Sequence, residues 1–208
     1  MILNLVTAPA SEPISLEEAK SHLHIDSNSE DTYIATLIAA ARAFAEKYTG
    51  RAFVSRALRY EVKEFPTRRD YCDPAALYLP IAPVISVESI RYINTDGDEI
   101  TLDEETYSLI QDDEDPYIVP AHEVEWPTDL RDQVNAVKIE FKAGYSYNED
   151  SSPPEEVTAN VPPDIKTALK LLLTDWHNNR ANVVVGTITA TLPIAVTAML
   201  WNYKRKGF

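Results

Sequence analysis

The chain has 208 residues, 45% of them hydrophobic, and a formal charge of −14 at neutral pH. That length and apolar content can bury the core of one large domain, or of a core carrying an inserted subdomain; the acidic balance excludes wrapping of nucleic acid, whose affinity comes mostly from Lys and Arg contacts with phosphate. No run of about 18 apolar residues marks a membrane span, and residues 1–10 lack the basic segment and cleavage pattern of a signal peptide, so the expected setting is cytoplasmic, without membrane contact.

The charge is unevenly placed. Residues 1–55 carry 7 acids and 4 bases, residues 56–150 carry 22 and 9, and residues 151–208 carry 4 and 6. An acidic middle between two nearly neutral ends predicts two bodies: residues 1–55 plus 146–208, and residues 56–145. Cys72 is the only cysteine, so no internal disulfide can form and no cysteine cluster exists to hold a metal.

In chain order, Ser15-Leu16-Glu17-Glu18 has capping-box spacing and opens a short helix within Ile14–Ile25. Ser27 and Glu30 repeat that spacing before a long apolar stripe, Tyr33, Ile34, Leu37, Ile38, Ala41, Phe44, Ala45 and Tyr48, which Gly50 ends. The alanines of this second helix present a small-residue surface that another helix can approach closely. From Arg56 the period changes. Leu58, Tyr60 and Val62 alternate with charged residues, as in a half-buried strand. Further strands are expected at 77–79, 84–93, 100–102, 107–110, 117–119 and 137–141, with an Asp96-Gly97 hairpin turn after the third of these seven.

Residues 148–161 are rich in Ser, Pro, Glu and Asn and read as a mobile loop. The strongest helical signal follows: Ile165, Ala168, Leu169, Leu172, Leu173 and Trp176 share one face, with Pro163 suited to the first helical position and Asp164 to the positive end of the dipole. This helix, 163–180, is the expected centre of the core. Ala181–Thr191 is β-branched and polar around Gly186, and Pro193 starts a last helix on which Val196, Met199, Leu200 and Tyr203 share a face. The expected fold is α+β: an α-helical core of about four helices drawn from both chain ends, with an inserted antiparallel β region.

Catalytic motifs are missing. There is no Gly-rich phosphate loop, HExxH, GxSxG or Cys/His metal spacing. His22 and His24 are two apart and point to different sides of a helix, His122 falls in a loop, and His177 follows Trp176 near a helix end. Asp112-Asp113-Glu114-Asp115 lacks the spaced ligands and turning glycine of a calcium loop, so it reads as a solvated loop. No carboxylate pair is singled out for a hydrolase, and no cofactor or metal is expected. Trp126 and Trp176 read as packing residues. Trp201, at the edge of the last helix's stripe, is the candidate intersubunit aromatic, and Lys204, Arg205 and Lys206 are candidate partner contacts at a helix C-terminus that cations complement.

Five segments together, ISLEEAKSHLHIDSNSEDTYIATLIAAARAFAEKYTGRAF at 14–53, LYLPIAPVISVESIRYINTDGD at 77–98, VKIEFKAGY at 137–145, VPPDIKTALKLLLTDWHNNR at 161–180 and LPIAVTAMLWNYKR at 192–205, resemble the head-tail connector proteins of tailed double-stranded DNA phages. The resemblance rests on the order and spacing of all five, and it carries over no catalytic residue. It implies a ring, commonly of twelve subunits, that joins the portal protein to the next tail or head-completion protein while duplex DNA passes through without tight binding. It further implies a virion protein of the head–tail junction, present in host cytoplasm before assembly, whose C-terminal part engages the portal. Another virion part, such as a tail-completion protein, is the alternative reading, and a carboxylate-based hydrolase is the enzymatic one. On the connector reading, removal of residues 202–208 is expected to leave a folded subunit that cannot attach.

Overall fold

The computed structural model describes residues 2–9, 11–67, 75–145, 161–179 and 194–205. Cys72, Lys206 and the segments 148–160 and 181–191 singled out above lie outside them. The chain divides into two compact units, Met1–Pro9 with Ser55–Tyr145 and Ala10–Val54 with Ser146–Phe208.

The first unit is built on two antiparallel sheets. Strands β1 (Ile2–Thr7), β2 (Arg56–Val62), β3 (Leu77–Tyr78), β4 (Val84–Ile93), β5 (Glu99–Thr101), β6 (Tyr107–Ile110), β7 (Tyr117–Pro120) and β8 (Val137–Ala143) pair as β1-β2-β8-β4-β5 and β3-β7-β6. Alternation decides which side of the large sheet is dry. Leu58 lies opposite Phe141, Tyr60 opposite Ile139, and Ile139 opposite Ile90, all buried. Phe65 stacks on Trp126 at 4.8 Å between ring centroids, and the Trp126 indole N–H donates to the Ala75 carbonyl at 2.8 Å. An aromatic with a satisfied polar tip is a packing residue, as Trp126 was read to be.

The other side of that sheet carries a cross-strand ladder of charges. Glu140 Oε1 accepts from Arg59 at 2.7 Å and from Arg91 at 2.6 Å, while Glu99 accepts from Lys138 at 2.6 Å. The hairpin between β4 and β5 turns at Gly97, whose φ of 97° is open to glycine and strained for other residues. A Cβ there would come within 2.8 Å of an Arg131 guanidinium nitrogen.

The second unit is helical: α1 (Leu16–Leu23), α2 (Asp31–Thr49), α3 (Pro163–Asn178) and α4 (Ile194–Trp201). Ser15 caps α1 as expected, its hydroxyl accepting the Glu18 N–H at 3.0 Å. The predicted centre of the core is also in place, since Ile165, Ala168, Leu169, Leu172 and Leu173 of α3 are all buried. Leu173 clusters with Ala19, Ile34 and Ile38, and Trp176 meets the Phe44 ring edge-on at 6.0 Å. Where α2 ends, Gly50 adopts φ 70°, the left-handed cap that frees its N–H for the Glu46 carbonyl.

Three readings need correction. Residues 1–9 belong with the sheets and not with the helical body, because Ile2–Thr7 pairs with β2 as a strand that the sequence did not reveal. Ser27 does not cap α2; its hydroxyl faces Ser29 at 2.9 Å, and Glu30 occupies the cap position without a side-chain bond to the helix start. The start of α2 is instead held by Lys20, whose ammonium bonds Asp31 and Asn28, each at 2.7 Å. Finally, Tyr203 lies past the end of α4, its N–H turning back to the Leu200 carbonyl.

Candidate functional site

Asn202 marks the exit from a helix that carries no charge on any side. In IAVTAMLW, Val196 and Leu200 are buried, and the remaining face is apolar as well. Ile194 is 88% exposed and Trp201 63% exposed, with the small exposed residues Ala195 and Ala198 between them. Positions i, i+4 and i+7 share one side of a helix, so Ile194, Ala198 and Trp201 form one apolar stripe left exposed among the described residues. Large apolar side chains grouped in this way mark a binding surface far more often than scattered ones do.

The chain beyond α4 is tied down. The Arg51 guanidinium donates to the Tyr203 carbonyl at 2.6 Å, and the Arg205 N–H donates to the Thr49 carbonyl at 3.0 Å. The Thr49 acceptor and the Arg51 donor lie at the end of α2, where orphan helix carbonyls need partners. Thr49 and Arg51 are themselves buried, and the Thr49 hydroxyl caps the Ala45 carbonyl at 2.9 Å. Burial pushes the Tyr203 phenol above its usual range; the Asp164 carboxylate adds to this and the Arg51 guanidinium opposes it.

These contacts sort the residues singled out from sequence. Trp201 is exposed, and the Lys204 ammonium lies 5.5 Å from the centre of its ring and 5.3 Å from that of Tyr48, so a cation joins the aromatic stripe. Arg205 is only 6% exposed, which makes it part of the subunit's own interior. Lys206 lies outside the described residues. The residues that sequence reasoning missed are Ile194, Ala195 and Ala198. A signal existed, since residues 181–203 contain no charged side chain and an amphipathic helix should have had a polar face.

Among the described residues, no group of three or more His, Cys, Asp and Glu is placed to hold a metal ion. The acidic run at 112–115 uses one Asp112 carboxylate oxygen to accept the N–H groups of Glu114 and Asp115, both at 2.8 Å, which is a turn-closing role. His177 Nε2 lies 3.0 Å from a Glu30 carboxylate oxygen, linking the end of α3 to the start of α2.

The family model for phage gp6-like head-tail connector proteins matches residues 13–204. The chain belongs to that family. Connector-like backbones also appear among solved structures. A chain in the virion of a native gene transfer agent particle superposes with a TM-score of 0.77 at 23% identity, covering 100% of this chain and 97% of that one. Chains in the neck of the empty particle, computed with C6 symmetry, and in the neck of the native particle, computed with C12 symmetry, give TM-scores of 0.72 and 0.67, each at 22% identity with the same coverage. At such identities the likeness establishes a shared fold along the whole connector chain. No curated protein sequence matches it.

Proposed function

We propose that this connector is a structural, non-catalytic subunit of a ring placed between a portal and the next tail or head-completion protein, with packaged duplex DNA passing through the centre. The observation that carries this reading is the uncharged α4 stripe of Ile194, Ala198 and Trp201 with the Lys204 ammonium beside it, an apolar surface with a cationic rim on a chain of net charge −14. Family membership and the symmetric neck particles that hold similar chains support the ring. In this reading α4 is the surface that meets the portal. Aromatic anchors in the middle of such a patch dominate binding, because they exclude water and lose little side-chain entropy on docking.

The rest of the molecule fits a conduit by its charge. A passage for DNA has to guide phosphates without gripping them, since each Lys or Arg contact adds salt-sensitive attraction that slows sliding. Binding of the assembled ring to duplex DNA near physiological salt is expected to be undetectable, and submicromolar affinity counts against a passive passage.

The attachment test uses Trp201→Asp. Its side chain is exposed, so the subunit should keep its circular dichroism and melting temperature while attachment to portal-bearing heads falls at least tenfold. Attachment at the wild-type level by this variant refutes α4 as the portal surface. Removal of residues 202–208 is a poorer test than the sequence suggests, because it also deletes the Tyr203 and Arg205 main-chain bonds that close the end of α2.

A further inference from the structure

Among the described residues, strand β1 is an open edge of the five-stranded sheet, and all six of its residues, ILNLVT, are exposed. Soluble proteins usually guard such an edge with charge or proline, because its unpaired N–H and C=O groups are a template for another strand. Here neither guard is present in Ile2–Thr7. Leu3 and Leu5 lie opposite Tyr60 and Leu58 of β2, which are 3% and 5% exposed, so alternation puts both leucines on the core side of the sheet. Yet they are 40% and 55% exposed. The dry face therefore runs past the part of the sheet that the described residues cover.

The far edge of the same sheet is β5, also exposed along its length. Ile100 lies opposite the buried Tyr92, hence on the same core side as Leu3 and Leu5, and is 37% exposed. Two different open edges on one rigid sheet meet the requirement for a head-to-tail contact that repeats around a ring. Their charges also permit it. β1 is uncharged, and the Glu99 carboxylate of β5 is compensated by Lys138 at 2.6 Å and Arg91 at 3.7 Å, so the edges can meet without like charges directly opposed.

We propose that the β1 edge of one subunit pairs with the β5 edge of the next copy of this chain, continuing the sheet across the subunit boundary and covering Leu3, Leu5 and Ile100. This rests on the ring reading above. The occupant is a neighbour in a closed ring and not the second half of a free dimer, on grounds of area. A ladder limited by the three residues of β5 covers on the order of a few hundred Å² per partner, against roughly 800 Å² per partner in a stable pair. The seam holds when neighbours are already concentrated on a common platform.

The test combines two variants, both assembled on portal-bearing heads. In a Cys72→Ser background, Ile100→Cys joined to Leu3→Cys or Leu5→Cys is oxidised and run on a denaturing gel; a ladder of covalent oligomers is expected from the paired variants and none from any single one. Leu5→Lys is expected to fold normally by circular dichroism but to lower ring occupancy at least tenfold, with Leu5→Val restoring it. Cross-linked dimers from Leu3→Cys alone, or full occupancy by Leu5→Lys, overturn the seam. Wild-type rings in micrographs without any ladder from the paired variants also overturn it while leaving the ring reading intact; absence of rings from the wild type in the presence of portal sinks both.

Discussion

The helical unit and the sheet unit place their charges differently, although one sheet carboxylate, Glu61 of β2, is also buried. Among the helices, Glu46 and Arg51 are buried, and each side chain bonds the main chain of a different segment, Glu46 the Phe53 N–H at 2.8 Å and Arg51 the Tyr203 carbonyl at 2.6 Å. In the large sheet, Arg59, Arg91, Lys138, Glu99 and Glu140 form pairs across strands on the face away from the apolar core. The difference follows from how each unit holds its segments. A sheet ties its strands together with main-chain ladders, so its ion pairs are accessory. Helices satisfy their own backbone and leave connecting segments to be fixed by individual polar side chains, which then have to be buried and satisfied.

The comparison can be tested from its strongest consequence downward. Truncating the apolar core should not distinguish the units: Leu172→Ala in α3 and Ile139→Ala in β8, both 0% exposed, are each expected to cost about 3–5 kcal/mol in denaturant unfolding. Polar truncation should separate them. Glu46→Ala removes a buried partner of Arg42, which lies 3.0 Å away and also grips Glu12 at 2.6 Å, and it leaves the Phe53 N–H without that acceptor; a loss of roughly 3 kcal/mol is expected. Glu140→Ala, on the sheet's charged face, is expected to cost about 1 kcal/mol or less, because solvent screens the pairs it breaks. Equal losses from these two variants would show that burial of charge is not what divides the units.

The smallest effect concerns pH. The Lys138 hydrogen bond holds the Glu99 carboxyl below its usual range; burial opposes it, and the Lys138, Arg91 and Arg59 charges reinforce it. A depressed carboxylate binds fewer protons in the folded chain than in the unfolded one, so its contribution is complete above the ordinary carboxylate pKa and is lost as pH falls through the folded value. Glu99→Gln should therefore lower stability slightly near neutral pH, leave it almost unchanged at acid pH, and so flatten the acid limb of the stability curve. A larger change at acid pH than at neutral pH would reverse the assignment.

Much of this fold is legible in the sequence, for identifiable reasons. The face of α3 is readable because its apolar residues recur over about three turns, and the cap at Ser15 because serine and glutamate at that spacing act through local bonds. The same spacing misled at Ser27. There Lys20, on the preceding helix, holds Asp31 and Asn28, and α2 begins later than the local pattern implies. Strand β1 escaped notice because ILNLVT does not alternate cleanly and its pairing with β2 spans more than fifty residues. Of the candidate contacts, Trp201 could be placed by helical periodicity, whereas the burial of Arg205 could not, since the tail's anchorage to α2 spans 152 residues of sequence.

That anchorage has a mechanical consequence. Tyr203 and Arg205 are clipped to Arg51 and Thr49 by two hydrogen bonds only two residues apart. A pull exerted through the last helix is thus handed to the long second helix before it can unzip the chain from its end. Whatever grips the final helix thereby loads the backbone of the whole helical bundle.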